Sequence, residues 1–183
     1  MGVRRLALSL PEHRRLIATH LRDSFAGDAQ VFTYKDDNGN RPIDIGSFGK
    51  SSRFHSTLGV SDMDLNLPEG SYEFATIGSR DWLANTLASS VYWLRDRDVD
   101  SWPLICEDVV RLNAKSIYRH MAYAPSEYRL TLHSQPHTVR WLLGLPIRDK
   151  ELTIGLEDLL VSIRSKFPAW LTDTDIAHDS NQQ

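Results

Sequence analysis

The 183-residue sequence lacks the features that mark several common classes of protein. Its single cysteine, Cys106, excludes an intramolecular disulfide and any metal site built from several cysteines. It has no apolar run long enough to cross a membrane. Its 21 basic residues are outnumbered by 24 acidic ones, which gives a net charge of −3. Since this charge creates no global positive field, we predict neither a nucleic-acid partner nor a membrane partner.

The first residues also lack a secretory signal, which needs roughly 7–15 apolar residues in a row. Arg4 and Arg5 are followed by only a few apolar residues before Glu12. Together with the free thiol of Cys106, this favours a cytoplasmic location.

The motifs of well-known catalytic and metal sites are missing or incomplete. The glycine patterns of phosphate-binding loops do not occur. Residues 59–63 supply only the first half of the nucleophile elbow Gly-x-Ser-x-Gly, and a strand pattern follows them instead of a helix. His133 and His137 are separated by a proline that prevents a helix from aligning them, and they have no third ligand at a recognised spacing. We therefore predict no catalytic residue, no metal and no cofactor.

Acidic residues alternate with apolar ones after Ser61. Asp62 and Asp64 occupy ligand positions of an EF-hand pattern, but Leu67 stands where that calcium loop requires glycine. A half-buried strand over residues 63–67 explains the same alternation without an ion. We therefore predict a strand at this position.

The hydrophobic periodicity predicts an α+β fold, with a mixed or antiparallel sheet flanked by helices. We expect one domain over residues 1–172 and a flexible polar tail over 173–183. The predicted helices cover 11–25, about 81–94, a stretch that begins at Trp102 with Ile105, Val109 and Leu112 on its inward face, and 156–167. The predicted strands cover 31–34, 43–48, 53–60, 63–67, 72–77, 118–123 and 139–147, with a tight turn at Asn38 and Gly39.

Four short stretches, in this order, resemble the Suppressor-of-fused-like domain family. They are Thr57, Gly59 and Ser61 in a Thr-x-Gly-x-Ser sequence, the strand Tyr72-Glu73-Phe74, the helix start Trp102-Pro103, and Leu145-Pro146-Ile147 before a terminal helix. The resemblance covers about residues 53–167. Phe74 departs from it, because the family often has leucine after the glutamate.

The resemblance implies a non-enzymatic binding module with an α/β sandwich. One animal member of the family sequesters a zinc-finger transcription factor, and bacterial single-domain members resemble immunity proteins that neutralise contact-dependent toxins. The size of this chain is similar to the second group, which implies a cytoplasmic protein that binds a cognate toxin. Two alternatives stay open: a regulatory module that binds a peptide along a sheet edge, and a small hydrolase that uses His55, Ser61 and Asp62.

The candidate partner-binding residues are acidic. They are Asp62, Asp64, Asp96, Asp98 and Asp100. Acidic groups would speed the approach of a basic toxin. For Thr57 and Ser61 we favour a structural role, in which the hydroxyls satisfy backbone groups beside Gly59.

Overall fold

A computed structural model describes residues 11–36, 42–68, 70–132 and 137–172 of the chain. These residues form four α-helices and seven β-strands, and the predicted α+β class is confirmed. The helices are α1 (Glu12–Ser24), α2 (Trp82–Leu94), α3 (Leu156–Arg164) and α4 (Ala169–Thr172). The strands are β1 (Ala29–Tyr34), β2 (Ile43–Phe48), β3 (Arg53–Leu58), β4 (Tyr72–Gly78), β5 (Leu104–Cys106), β6 (His120–Leu132) and β7 (His137–Ile147). Short 3-10 helices occur at Val60–Asp62 and Asp149–Thr153.

All seven strands belong to one mixed sheet in the order β1-β2-β3-β4-β7-β6-β5. The strands from β1 to β4 pair antiparallel with their neighbours in the sequence. Strands β5, β6 and β7 also pair antiparallel. The two halves are joined by β4 and β7, which run parallel. A parallel pair needs a crossover connection, and α2 lies within this one.

Helices cover both faces of the sheet. Ile17 and Leu21 of α1 pack with Leu159 and Ile163 of α3 in a first core cluster on one face. Helix α2 buries its apolar side in a second cluster on the other face. Because both faces are covered, β7 in the middle of the sheet buries consecutive side chains, Trp141 among them.

The strand predicted over residues 63–67 does not form. Instead, Leu65 N–H bonds to Met63 C=O at 3.0 Å and Leu67 N–H to Leu65 C=O at 2.5 Å, as in consecutive γ-turns. Met63, Leu65 and Leu67 still pack against the second core cluster, whereas Asp64 and Asn66 are exposed. The alternation in the sequence therefore reports burial correctly, but the backbone bonds are local rather than those of a sheet.

The helix predicted to begin at Trp102 is also wrong. Residues Leu104–Cys106 form β5, where Leu104 pairs with Tyr123 of β6. Asp108 then has a φ of 59°, a left-handed conformation that interrupts a helix, and turns follow. Leu112, expected on an inward face, is 78% exposed. The apolar residues that show helical spacing in the sequence therefore belong to two different elements, strand β5 and the turns that follow it.

Some predictions lie outside the described residues. They are the turn at Asn38 and Gly39, the site of His133, and the tail over 173–183.

Candidate functional site

The carboxylate of Glu73 lies fully buried on β4 and organises the chain that follows β3. It accepts five hydrogen bonds from residues 57–61. The donors are Thr57 Oγ1 (2.5 Å), Gly59 N (2.8 Å), Val60 N (3.1 Å), Ser61 N (3.1 Å) and Ser61 Oγ (2.6 Å). We call Glu73 and these four donor residues the Glu73 network. Thr57 Oγ1 also accepts a bond from the N–H of Phe74 at 2.8 Å.

The local sequence explains why the donors converge on one point. Gly59 has a φ of 97°, a conformation that favours glycine, and it precedes the 3-10 helix Val60–Asp62. The first N–H groups of a helical turn have no partner within the turn, so they are free to bind an anion. In addition, a Cβ at position 59 would collide with the guanidinium of Arg14.

Burial raises the pKa of Glu73, and the hydrogen bonds from Ser61, Thr57 and Gly59 oppose that rise. All five partners donate, an arrangement that suits the ionised carboxylate. Because both oxygens already accept bonds and the residue is fully buried, Glu73 has no oxygen available to a substrate. The hydroxyls of Thr57 and Ser61 therefore serve the structural role that we favoured, but their main partner is a carboxylate instead of the backbone.

The N-terminal turn of α1 packs against the chain at Gly59 and Asp62, beside this network. Arg14 Nη1 donates to Asp44 Oδ2 at 3.1 Å, and Thr33 Oγ1 donates to Asp44 Oδ1 at 2.7 Å. His13 Nε2 contacts the carboxylate of Asp62. Helix α1 is thereby joined to β2 and to the end of the Val60–Asp62 turn.

The structure places the five predicted acidic residues on the surface, in two segments that lie beside each other. All five side chains are exposed: Asp62, Asp64, Asp96, Asp98 and Asp100. Asn66 Nδ2 donates to Asp98 Oδ1 at 2.8 Å, and Val99 N–H donates to Asn66 C=O at 3.3 Å. These two bonds bring segment 62–66 against loop 96–100. We call the five aspartates the acidic surface.

Loop 95–100 also carries two arginines, of which Arg97 is exposed and Arg95 is half-buried. Arg97 lies over the ring of Trp93, 4.0 Å from its centroid, and donates to the Trp93 carbonyl at 2.6 Å. Arg95 Nη1 pairs with Asp36 Oδ2 at 3.4 Å. Both guanidinium groups thus have partners other than the acidic surface.

The three residues of the hydrolase alternative have separate environments. Ser61 Oγ donates to Glu73, and Asp62 contacts His13. His55 is 5% exposed, and neither of its ring nitrogens has a hydrogen bond of normal geometry to any residue that the structure describes. Burial lowers the pKa of His55 to about 4, Arg53 adds to this effect, and the Gly78 carbonyl and Asp81 oppose it. The serine, histidine and aspartate are not linked as a nucleophile, base and orienting acid would be.

A second histidine–aspartate pair was not recognised from the sequence. His120 Nδ1 accepts the N–H of Asp108 at 3.1 Å, so Nε2 carries the proton and donates to Asp149 Oδ1 at 2.9 Å. Arg119 bonds to both Asp108 and Asp149. The hydrogen bond from His120 and that from Arg119 lower the pKa of Asp149. Since both ring nitrogens are occupied, this pair fixes the start of β6 and has no nitrogen available for proton transfer.

Cys106 lies on β5 and is fully buried. Burial raises the pKa of its thiol, which opposes the thiolate form that a nucleophile needs. Within the described ranges, histidine, cysteine, aspartate and glutamate side chains form no group of three or more that could hold a metal ion. None of the helices in those ranges has the length and apolar character of a membrane span.

Comparison with protein-family models and with curated proteins finds no match to this chain. The resemblance to the Suppressor-of-fused-like family stays a prediction.

Proposed function

We propose that this chain is a non-enzymatic protein-binding domain that works as an immunity protein and neutralises a cognate toxin by direct binding. The observation that carries the proposal is the internal use of the Glu73 network. Its carboxylate and its two hydroxyls bond to one another and to the backbone of residues 57–61. The sequence through which the chain resembles the family therefore supports a rigid surface instead of a reaction.

The segment that carries Asp62 and Asp64 is held at both of its ends. The Glu73 network holds its start, and the two bonds of Asn66 hold its end against loop 96–100. Two apolar side chains between these points, those of Met63 and Leu65, pack against the second core cluster. Binding through a segment that is already ordered loses less conformational entropy, which favours a tight complex.

The charge of the acidic surface suits a basic partner. Five exposed carboxylates lie on two adjacent segments and outnumber the one exposed arginine between them, Arg97, which lies over Trp93. A local field of one sign speeds the encounter with a partner of opposite sign even when the net charge is only −3. Toxins that act on nucleic acid carry basic surfaces, because they bind a negatively charged backbone.

The test is co-expression with the C-terminal domain of a large secreted protein encoded immediately upstream of this chain. We expect the chain to restore growth of the host and to co-purify with that domain. The variant Asp64→Lys/Asp96→Lys should lose at least tenfold in association rate, mainly at low salt, because it reverses the local field and keeps the bond of Asn66 to Asp98.

The matched control is Asp23→Lys/Glu157→Lys, which makes the same change in net charge on exposed residues of α1 and α3. It should leave the association rate within about twofold. The proposal is wrong if no secreted toxin is encoded beside the chain, or if wild-type protein neither restores growth nor binds the toxin domain.

A second candidate function is a regulatory module that binds a peptide strand, and the exposed edge of the sheet favours it. Strand β1 pairs with β2 alone among the described strands, and four of its six residues are exposed. Gly49 N–H donates to Asp28 C=O at 3.1 Å. In an antiparallel pair, alternate residues point their N–H and C=O groups toward the partner strand and away from it. Since the backbone of Asp28 points toward the β2 side, that of Val31, three residues later, points toward the open edge.

Strand addition is tested with Val31→Pro. Proline there removes an edge N–H without removing a bond to β2, so folding is retained and the added strand is lost. If the partner binds Val31→Pro normally and fails to bind the Asp64→Lys/Asp96→Lys variant, the edge is not the binding site.

A further inference from the structure

His55 on β3 is a buried polar side chain that the proposed function does not use. It is 5% exposed, and neither of its ring nitrogens has a hydrogen bond of normal geometry to a residue that the structure describes. Burial of a polar group without hydrogen bonds is costly, so buried polar groups in folded proteins have partners. The ring of His55 therefore indicates a place where the protein meets a ligand.

The ring lies beside the loop that leads into α2. The side chain of His55 projects from the face of the sheet that α2 covers, because Phe54, the preceding residue, belongs to the first core cluster on the other face. The Gly78 carbonyl and the Asp81 carboxylate both raise the pKa of His55 against the larger effect of burial, so both lie near the ring. Residues 78–81 join the end of β4 to the start of α2.

The N-terminus of α2 is not capped by the residue before it. The first N–H groups of an α-helix have no partner within the helix and carry a partial positive charge. Leu83 N–H donates to Arg80 C=O at 3.1 Å in a tight first turn. Asp81 stands where an aspartate often accepts such bonds, but its side chain makes no capping bond and is exposed. N–H groups of this turn are therefore able to bind an anion.

Arg53 adds a fixed positive charge at the same place. It lies two residues before His55, on the same face of β3, and pairs with Gly78 of β4. Its Nε donates to Ser47 Oγ at 2.6 Å, and its Nη2 donates to the carbonyls of Ser47 and Asp28 at 2.7 and 3.3 Å. These bonds hold the guanidinium in position and leave Nη1 for a ligand.

Charged residues of both signs lie around this cluster. Arg53 belongs to it, Arg80 is exposed in the loop before α2, and Lys50 is exposed in the turn between β2 and β3. The acidic residues are Asp28, whose carbonyl bonds to Arg53, and Asp81. The balance is positive by one charge, which favours an anion, and Asp81 is the group that opposes it most closely.

We propose that Arg53, His55 and the first turn of α2 bind a phosphate group. The helix N-terminus and the guanidinium both present N–H donors to anionic oxygens. A neutral imidazole has one N–H and a protonated one has two, so an anion beside His55 favours the protonated ring. Three groups of donors match the three terminal oxygens of a phosphate ester, whereas a carboxylate has only two. The exposed residues 79–81 leave the site accessible to a small phosphate-bearing molecule.

This site goes beyond the proposed function. Helix α2 begins at the phosphate site and ends before loop 96–100, so the phosphate site and the acidic surface lie at opposite ends of the helix. The two sites share no residue. Failure of toxin binding would therefore leave the phosphate site unaffected, and the reverse also holds.

The test is calorimetric titration of the full chain with inorganic phosphate and with O-phosphoserine at constant ionic strength. We expect saturable binding with a Kd in the millimolar range. His55→Phe should raise this Kd by at least about tenfold. Asp81→Asn removes the opposing carboxylate and should lower the Kd by roughly threefold. The matched control Asp96→Asn removes one exposed carboxylate at the other end of α2 and should leave the Kd unchanged.

Sulfate tests the part played by the ring of His55, because sulfate keeps its charge throughout the range from about pH 5 to about pH 8. Its binding to wild-type protein should become tighter as the pH falls, since the protonated ring holds an anion better. Arg53 and Asp81 are the charged groups that act on the pKa of His55. Arg53 keeps its charge in this range, so the pH dependence should persist in Asp81→Asn and vanish in His55→Phe.

Saturable binding of both phosphate ligands would assign the site to phosphate esters, and binding of inorganic phosphate alone would assign it to the free anion. The proposal is overturned if wild-type protein binds neither ligand, or if folded His55→Phe binds them as tightly as wild type. If His55→Phe does not fold, Asp81→Asn decides, because a Kd equal to that of wild type would place the anion away from α2.

Discussion

At the level of single residues, the fully buried carboxylate of Glu73 depends on its hydrogen bonds, because burial of a charged group is costly unless its oxygens accept hydrogen bonds. Glu73→Gln keeps the shape of the side chain but turns one oxygen into a donor that faces other donors. We expect the free energy of unfolding to fall by about 3 kcal/mol or more in urea titrations.

Two substitutions of Thr57, on β3, test whether stability depends on the hydrogen bonds to Glu73 instead of on the change of any one side chain. Thr57→Ser keeps the hydroxyl and should cost less than Thr57→Val, which removes one donor to Glu73 and the acceptor of the Phe74 N–H. Equal stability of wild type and Glu73→Gln would contradict the structural role of the carboxylate.

His55 predicts a specific dependence of stability on pH. Its pKa is about 4 in the folded protein and near 6.5 in the unfolded chain. Between these values the unfolded chain binds a proton that the folded protein does not, so stability falls as the pH falls from 6.5 toward 4. The total loss from this residue is roughly 3 kcal/mol, and above pH 6.5 it contributes none.

The variant His55→Phe removes this titration and keeps a ring of similar size. We expect its stability to be within about 1 kcal/mol of wild type at pH 7.5 and to exceed that of wild type increasingly as the pH falls. Taking the difference between the two proteins cancels the other titrating groups. A difference that is constant from pH 7.5 to pH 4.5 would show that His55 titrates normally.

At the level of elements, the contact of α1 with the Val60–Asp62 turn depends on the missing side chain of Gly59. Gly59→Ala combines an unfavourable positive φ with a collision against Arg14, and we expect a loss of about 2 kcal/mol in the free energy of unfolding. In an Arg14→Ala background the collision is gone, so the same substitution should cost less. A cost that is equal in both backgrounds would mean that Arg14 does not approach Gly59.

Most elements could be predicted from the sequence because their cause is local. The apolar stripe of α1 reports which of its side chains are buried, because burial on a helix packed against a sheet follows the period of the helix. The same reasoning failed at 63–67, since alternating burial does not reveal whether the backbone bonds are made to a neighbouring strand or within a turn. It failed at Leu112 because a short strand and a turn reproduced helical spacing by chance.

The candidate site was only partly visible in the sequence for a related reason. Thr57, Gly59 and Ser61 could be recognised together as a motif, but their partner Glu73 lies twelve residues beyond Ser61 and on another strand. Likewise, nothing near His120 in the sequence indicates Asp149, 29 residues away. Contacts of this kind depend on strand pairing: β3 pairs with β4 beside residues 57–61, and β6 pairs with β7 so that His120 lies opposite Ile147.

At the level of the whole molecule, the parallel pairing of β4 with β7 makes the two halves of the sheet dependent on each other. The first core cluster contains Ile17 and Leu21 from α1 and Leu171 from α4, so it draws on both ends of the described chain. Trp141 belongs to this cluster and is fully buried, and its indole N–H donates to Ser56 on β3 at 3.0 Å. Removal of either end would expose this cluster.

We therefore predict that the chain unfolds in a single transition. Far-UV circular dichroism, which follows the whole backbone, and tryptophan fluorescence, to which Trp141 contributes, should give the same midpoint in urea. A chain that ends at residue 155 lacks α3 and α4, leaves one face of β7 uncovered, and should have no cooperative transition. Two separate midpoints would show that parts of the sheet unfold independently, and a cooperative transition in the shortened chain would show that the sheet is stable without α3 and α4.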